Sequence, residues 1–474
     1  MVRTGPWSIF GPPSPPPSAP LSSNQADSSI PLQFPPLNLL PSLVDSAADT
    51  VRLYWYRIPT YLEDALDLNL RQVSNKTSRM VRGKHPWINL EDSIWRLLPS
   101  SIWTEDPENA TFYVVPHAYL GHKCVNPSKA SEAQHVKRGI ARFFEHIYYA
   151  EPYYNRSRGR NHITTWVLEN GIYCDCRWRE EMVNETLAFD ILKSMIKVGY
   201  WGHDDVSMFG WQRGFDIAMP QFGAVSPSLG PPPSWQEVVS SQKYSFGFSG
   251  SYWGGRVSCP AIDKGSPPGS LGAAHYCECS PGSRIWLQGY LTKHCNTSIS
   301  PTTRCSGLSA KMGTFWYALC PAAWACWSSR LYHAIDRLTV PAIMADGAIQ
   351  PFESLLDWQS FAVKLDTKRL MSYNASQLDH LHHDGLAVAH HCTSCQDCHQ
   401  CTRLPLVKRV RQLERVRTWF LYNSSTLYSA FGLFILELHC RHWYLTKSSY
   451  RDGVCREYPE LMQHMKTHRR KVLR

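Results

Sequence analysis

The chain has 474 residues, a length that favours two domains of roughly 200 residues each over one continuous core. Its hydrophobic content of 43 %, with 18 Trp, 23 Tyr and 17 Phe, excludes wholesale disorder. The net charge of +10 comes wholly from residues 403–474, where fifteen Lys or Arg meet five Asp or Glu; a basic tail ending HMKTHRRKVLR could meet nucleic acid or anionic lipid, but it reads as a solvated helix face and a frayed terminus, and no nucleic-acid partner is expected.

Residues 1–50, containing GPPSPPPSAP, read as a disordered Pro-rich leader without an apolar run long enough for a signal peptide or membrane span. Order is expected from Val51, in the strand VRLYWYRIP. A helix follows over Glu91–Leu98, a strand over Ala110–Pro116, a helix through VKRGIARFFEHIYY, and strands in HITTWVLENG and FDIAMPQF. Alternating strands and helices predict an α/β fold with parallel sheets. The Pro/Gly break Ser226–Trp235 predicts a boundary between a first domain at 51–235 and a second at 236–402 that opens with YSFGFSG. Residues 258–308, rich in Gly, Ser and Cys, read as an insertion, with regular structure resuming at Thr314.

TFWYALCP and VPAIMAD are apolar runs suited to strands buried on both faces. Between them a helix is predicted, capped by Ser328 or Ser329 and placing Leu331, Ala334, Ile335 and Leu338 on one face. Such a strand–helix–strand unit collects ligands beyond its strand C-termini, where a helix start favours anions. Arg330 lies in that first turn, His333 one turn further on and Asp346 at the end of the next strand. A guanidinium there suits the paired oxygens of a nucleoside diphosphate.

TLYSAFGLFILELHC reads as a buried helix, too short to span a bilayer and interrupted by Glu437, within a C-terminal segment at 403–474 of helices and basic tail. The strip Cys392, Cys395, Cys398 and Cys401, flanked by histidines, is compatible with metal; without a second arm it reads as disulfides or free thiols, and no metal site is assigned. Seven Asn-x-Ser/Thr triplets, at Asn75, Asn109, Asn155, Asn184, Asn296, Asn374 and Asn423, favour a lumenal, disulfide-permitting compartment. The entry signal or anchor this requires is not visible and is expected upstream of an incomplete N-terminus.

The stretch LCPAAWACWSSRLYHAIDRLTVPAIMADGAIQPFESLLDWQSFAV resembles the C-terminal half of the exostosin glycosyltransferases, which carry Cys-Pro-Arg-Gly, Ser-x-Arg, an acidic residue before Ala-Ile, Gly-Cys-Ile-Pro-Val, Pro-Phe and Asp-Trp in this order. EDPENATFYVVP, PYYNRSRGRNHI and SFGFSG with Arg256 resemble that family's upstream motifs, so the likeness runs from about residue 51 to 440. The resemblance implies a GT-B fold, two Rossmann-like domains facing across a cleft. It also implies transfer from a UDP-sugar, the donor substrate, to a glycan or polysaccharide acceptor, with inversion, no metal or other cofactor, and a membrane-associated place in the Golgi lumen.

Arg330 would hold phosphate, above a loop shaped by Cys320, Pro321, Ser328 and Ser329. Ala322-Ala323 replaces the family's Arg-Gly, His333 its ribose-binding acid, and Leu338-Thr339 its Gly-Cys. Asn161 precedes His162 where relatives carry Asp, leaving His162 or Glu169 as candidate base. These departures keep open an alternative, a catalytically inactive relative that binds glycans or a partner.

Overall fold

In the computed structural model the described residues are 34–57, 97–116, 141–165, 186–204, 211–221, 232–241, 244–249, 299–302, 315–322, 328–367, 398–422 and 426–446, together with Pro59, Thr60, Leu62, Ile94, Trp95 and Leu287. The first element corrects the expected leader: Leu40–Thr50 is a helix, α1. Leu40, Val44 and Ala47 recur at helical spacing and are fully buried, because α1 packs on the C-terminal helix; Pro41 falls in its first turn, where a missing N–H leaves no gap. Residues 1–33 lie outside the described residues.

Strands β1 (Leu53–Trp55) and β2 (Phe112–Val114) are followed by α2 (Pro152–Ser157), β3 (His162–Thr165), α3 (Thr186–Ser194), β4 (Ile196–Gly199), β5 (Gly202–His203) and β6 (Ile217–Ala218). Five of these form a sheet in the order β1-β2-β3-β4-β6, every pair parallel. All residues of β2, β3 and β4 are buried, as a sheet covered on both faces demands. That burial includes Lys197, whose ammonium lies 3.1 Å from the Asp216 carboxylate. Asp216 also accepts from the backbone N–H groups of Lys197 (2.8 Å) and Gln212 (2.6 Å). Desolvation pushes its pKa up, and Lys197 and these N–H groups oppose that.

The second half runs α4 (Trp235–Ser241), β7 (Tyr244–Ser249), β8 (Ile299–Thr302), β9 (Phe315–Pro321), α5 (Arg330–Asp336), β10 (Val340–Met344), β11 (Ala348–Ile349), β12 (Val363–Lys364), α6 (Cys398–Val416) and α7 (Ala430–Thr446). A second parallel sheet has the order β12-β10-β9-β7-β8. Strand β8 lies inside the segment expected to lack regular structure and pairs with β7 from Phe246↔Ile299 to Ser249↔Thr302. Non-local pairing supplies what its local sequence does not advertise. The fold is thus mixed α/β with parallel sheets.

β5 and β11 form a two-stranded antiparallel patch joining chain segments far apart in sequence. The C-terminal helix crosses back to the first sheet. Arg441 on α7 donates to the carbonyls of Phe215 (2.6 Å) and Asp216 (2.8 Å), and pairs with Glu437 one turn earlier. Glu437 also accepts from Ser354, so the charge that interrupts this apolar helix is neutralised where it is buried. No helix among the described residues is long and apolar enough to cross a membrane.

Candidate functional site

β9 and β10 lie in parallel register from Tyr317↔Val340 to Pro321↔Met344, with α5 between them in the chain, so the turn after Pro321 and the start of α5 meet at the C-terminal edge of the sheet. The helix begins as expected, but its cap differs. Ser329 occupies the N-cap position in helical geometry and its hydroxyl makes no cap bond. The Ser328 carbonyl instead accepts from the Leu331 N–H at 3.1 Å, and its hydroxyl accepts from Arg330 Nη1 at 3.1 Å. Leu331, Ala334, Ile335 and Leu338 are all buried. Leu338, standing where the sequence motif has glycine, takes φ +54°, a conformation costing a non-glycine residue roughly 1–2 kcal/mol. Complete burial of its side chain offsets that strain.

Arg330 is half-buried, its guanidinium 4.9 Å from the centre of the Phe248 ring in β7. Ring and Ser328 hydroxyl fix the cation over the strand ends. Behind it the Cys320 thiol is buried and donates to the Ala318 carbonyl at 3.3 Å. Burial pushes its pKa up to about 12, against a weaker opposing pull from Arg330, so it packs as a neutral group. Pro321 ends β9, and Ala322 is fully buried and donates its N–H to the Met344 carbonyl. Those positions shape the turn without adding charge to it.

His333 follows Arg330 one helical turn later. Its Nδ1 is buried and has no hydrogen-bond partner. Desolvation lowers its pKa; Asp336 opposes this while Arg330 and Arg337 reinforce it, which keeps the imidazole neutral and able to exchange a hydrogen bond with a hydroxyl. The other flank of α5 is anchored, since Asp336 accepts from Arg417 Nε (3.0 Å) and Nη2 (2.6 Å). Tyr332 is buried and bonded by the backbone of Gln221, which follows β6; burial raises its phenol pKa.

Asp346 stands just beyond β10, roughly 10 Å along the edge from β7 at ordinary strand spacing. Its carboxylate accepts from the Thr367 N–H at 2.9 Å, and its carbonyl accepts from His203 Nε2 at 3.2 Å. Arg330 and Ser328 are thus in contact, with His333 one helical turn further on, while Asp346 marks the far side of the same edge. Phe248 and His203 were missed by sequence reasoning. SFGFSG hinted at the first; the short strand holding the second has no local signal.

His162 is corrected. It is the first residue of β3, fully buried, with Nε2 2.8 Å from the Tyr56 hydroxyl and Nδ1 3.1 Å from Asn161 Oδ1. Its ring stacks on Tyr113 (5.0 Å, 24°) and Tyr56 (5.5 Å, 27°). Burial pulls its pKa down to about 3. A ring with both nitrogens engaged and no solvent contact is packed as a core residue and not as an exposed base. Glu169, Arg256 and the Cys392, Cys395 part of the Cys/His strip lie outside the described residues.

Among curated relatives, the chain is 22 % identical over 283 residues to a probable glucuronoxylan glucuronosyltransferase of Arabidopsis thaliana, an alignment covering 57 % of this chain and 53 % of that protein. Over 52 residues it is 38 % identical to a probable beta-1,4-xylosyltransferase of Arabidopsis thaliana, covering 11 % of this chain and 12 % of the relative. A probable glucuronosyltransferase of Oryza sativa subsp. japonica is 40 % identical over 47 residues, covering 10 % of this chain and 11 % of the relative. The chain therefore spans about half the length of the first of these and much less of the others. The Exostosin GT47 domain model matches residues 48–381, taking in both parallel sheets and the edge that carries Arg330, and the chain belongs to that family of glycosyltransferases.

Proposed function

We propose that the protein transfers a sugar from a nucleoside-diphosphate sugar, with UDP as the nucleotide, to a glycan acceptor. In this reading the chain has a GT-B arrangement, with the nucleotide sugar on the second sheet and the acceptor on the first, and the anomeric centre is inverted. The observation that carries it is the pairing of a fixed cation with a partnerless buried ring nitrogen at one strand edge. Arg330 is held between Phe248 and Ser328, and His333 follows one turn later.

Arg330 stabilises the diphosphate as it leaves, and positioning plus charge stabilisation supply most of the rate. His333 takes a ribose hydroxyl where relatives use an acid. Asp346 bounds the far side of the nucleotide-binding edge. The names of the plant relatives support a glucuronosyl- or xylosyl-type donor, and the sequons, of which Asn109 and Asn155 are exposed, support a lumenal, Golgi-type setting.

Turnover of a panel of UDP-sugars with glycan acceptors tests the proposal. Transfer from at least one donor, lost in Arg330→Ala, is the expected result; absence of transfer and of UDP hydrolysis across the panel would sink the enzymatic reading. A second reading, a catalytically silent binder, draws on the burial of His162 and of Ala322. Glycan binding without turnover would favour it.

A further inference from the structure

The turn Asp346–Gly347 is held from two directions. On one side its carboxylate accepts from the Thr367 N–H beyond β12. On the other, it is gripped from the first half of the chain. His203 pairs in register with Ala348, the Asp204 N–H donates to the Gly347 carbonyl at 2.9 Å, and His203 Nε2 lies 3.2 Å from the Asp346 carbonyl. A carbonyl only accepts, so Nε2 is the donor in this bond.

The contact leaves no slack. Gly347 adopts φ +69°, and a Cβ there would lie 2.7 Å from His203 Nε2 and 2.8 Å from Cε1. His203 itself is 5 % exposed, so its ring is a wedge against this turn and not a surface group. Shifting the ring must shift the Asp346 carbonyl, and with it the residue that bounds the nucleotide-sugar edge.

We infer that His203 is a positioning residue: from the first half of the chain it sets the Asp346–Gly347 turn, and donor binding by the second sheet depends on it. This rests on the nucleotide-sugar reading of that edge. Titration with UDP, together with donor KM and kcat where turnover is measurable, tests it. His203→Ala is expected to weaken UDP binding and raise donor KM about tenfold, with kcat within about threefold, the scale of one lost hydrogen bond. His203→Gln, whose amide can donate to the same carbonyl, should stay within about threefold of wild type. Gly347→Ala should reproduce the defect from the opposite side, and decides the matter if His203→Ala does not fold. Wild-type UDP affinity in both His203→Ala and Gly347→Ala, with only a lowered melting temperature, would reduce His203 to a structural contact and overturn the inference alone. No UDP binding by wild type would overturn the nucleotide-sugar reading and the inference with it.

Discussion

His162 and Arg330 are both polar residues beside buried parallel strands, but they stand at opposite kinds of edge. His162 opens β3, so it sits where a parallel strand begins, and tyrosines and Asn161 use up its ring. Arg330 and His333 stand beyond the strand ends, where a helix starts, where the His333 Nδ1 has no hydrogen-bond partner and where ligands of such sheets collect. The difference teaches that residue type says little about role until the end of the strand is known. One edge is closed by its own packing, and the other carries the Arg330 guanidinium and a His333 ring nitrogen without a hydrogen-bond partner.

That contrast can be broken most forcefully on the closed side. Lys197→Ala leaves the buried Asp216 carboxylate its backbone N–H donors but no cation, and a loss of about 3–5 kcal/mol in denaturant unfolding is expected. His162→Ala removes a stacked ring and orphans the Tyr56 hydroxyl; about 2–4 kcal/mol of stability should go, with UDP affinity of the folded protein unchanged. A large affinity change in His162→Ala would erase the distinction between the two edges.

Acid sharpens the same point. His162 titrates at about 3 in the folded chain against an ordinary 6.5, so the unfolded chain binds a proton that the native one refuses. Its contribution is full above pH 6.5 and is lost as pH falls from there toward 3, at up to about 1.4 kcal/mol per pH unit. Unfolding of His162→Phe followed over that range should show a shallower slope than wild type; parallel slopes would refute the assignment. The smallest effect is expected on the open side, where His333→Glu restores an acid for the ribose and should tighten UDP binding about fivefold, roughly 1 kcal/mol.

Much of the second sheet was legible because long apolar runs and a 3.6-residue stripe encode a buried strand–helix–strand unit directly. Leu331, Ala334 and Ile335 fall where the period puts them. The buried C-terminal helix was legible for the same reason, although only the structure shows that Arg441 neutralises Glu437. Helix α1 was hidden by neighbouring prolines, since its apolar face becomes informative only against α7. β5, β8 and β11 are too short for any period, and pairing alone defines them. His162 misled for a related reason: a histidine near an aromatic motif signals chemistry and core packing equally well.

The proposed transfer requires Arg330 to grip a nucleotide diphosphate at the end of the second sheet. Calorimetric titration of UDP into wild type and Arg330→Ala tests it most directly. Saturable binding by wild type, weakened in the variant by about 1.5–3 kcal/mol, the scale of a hydrogen bond to a charged group, is the predicted result. Equal affinity in the two proteins, or no binding by wild type, would contradict it.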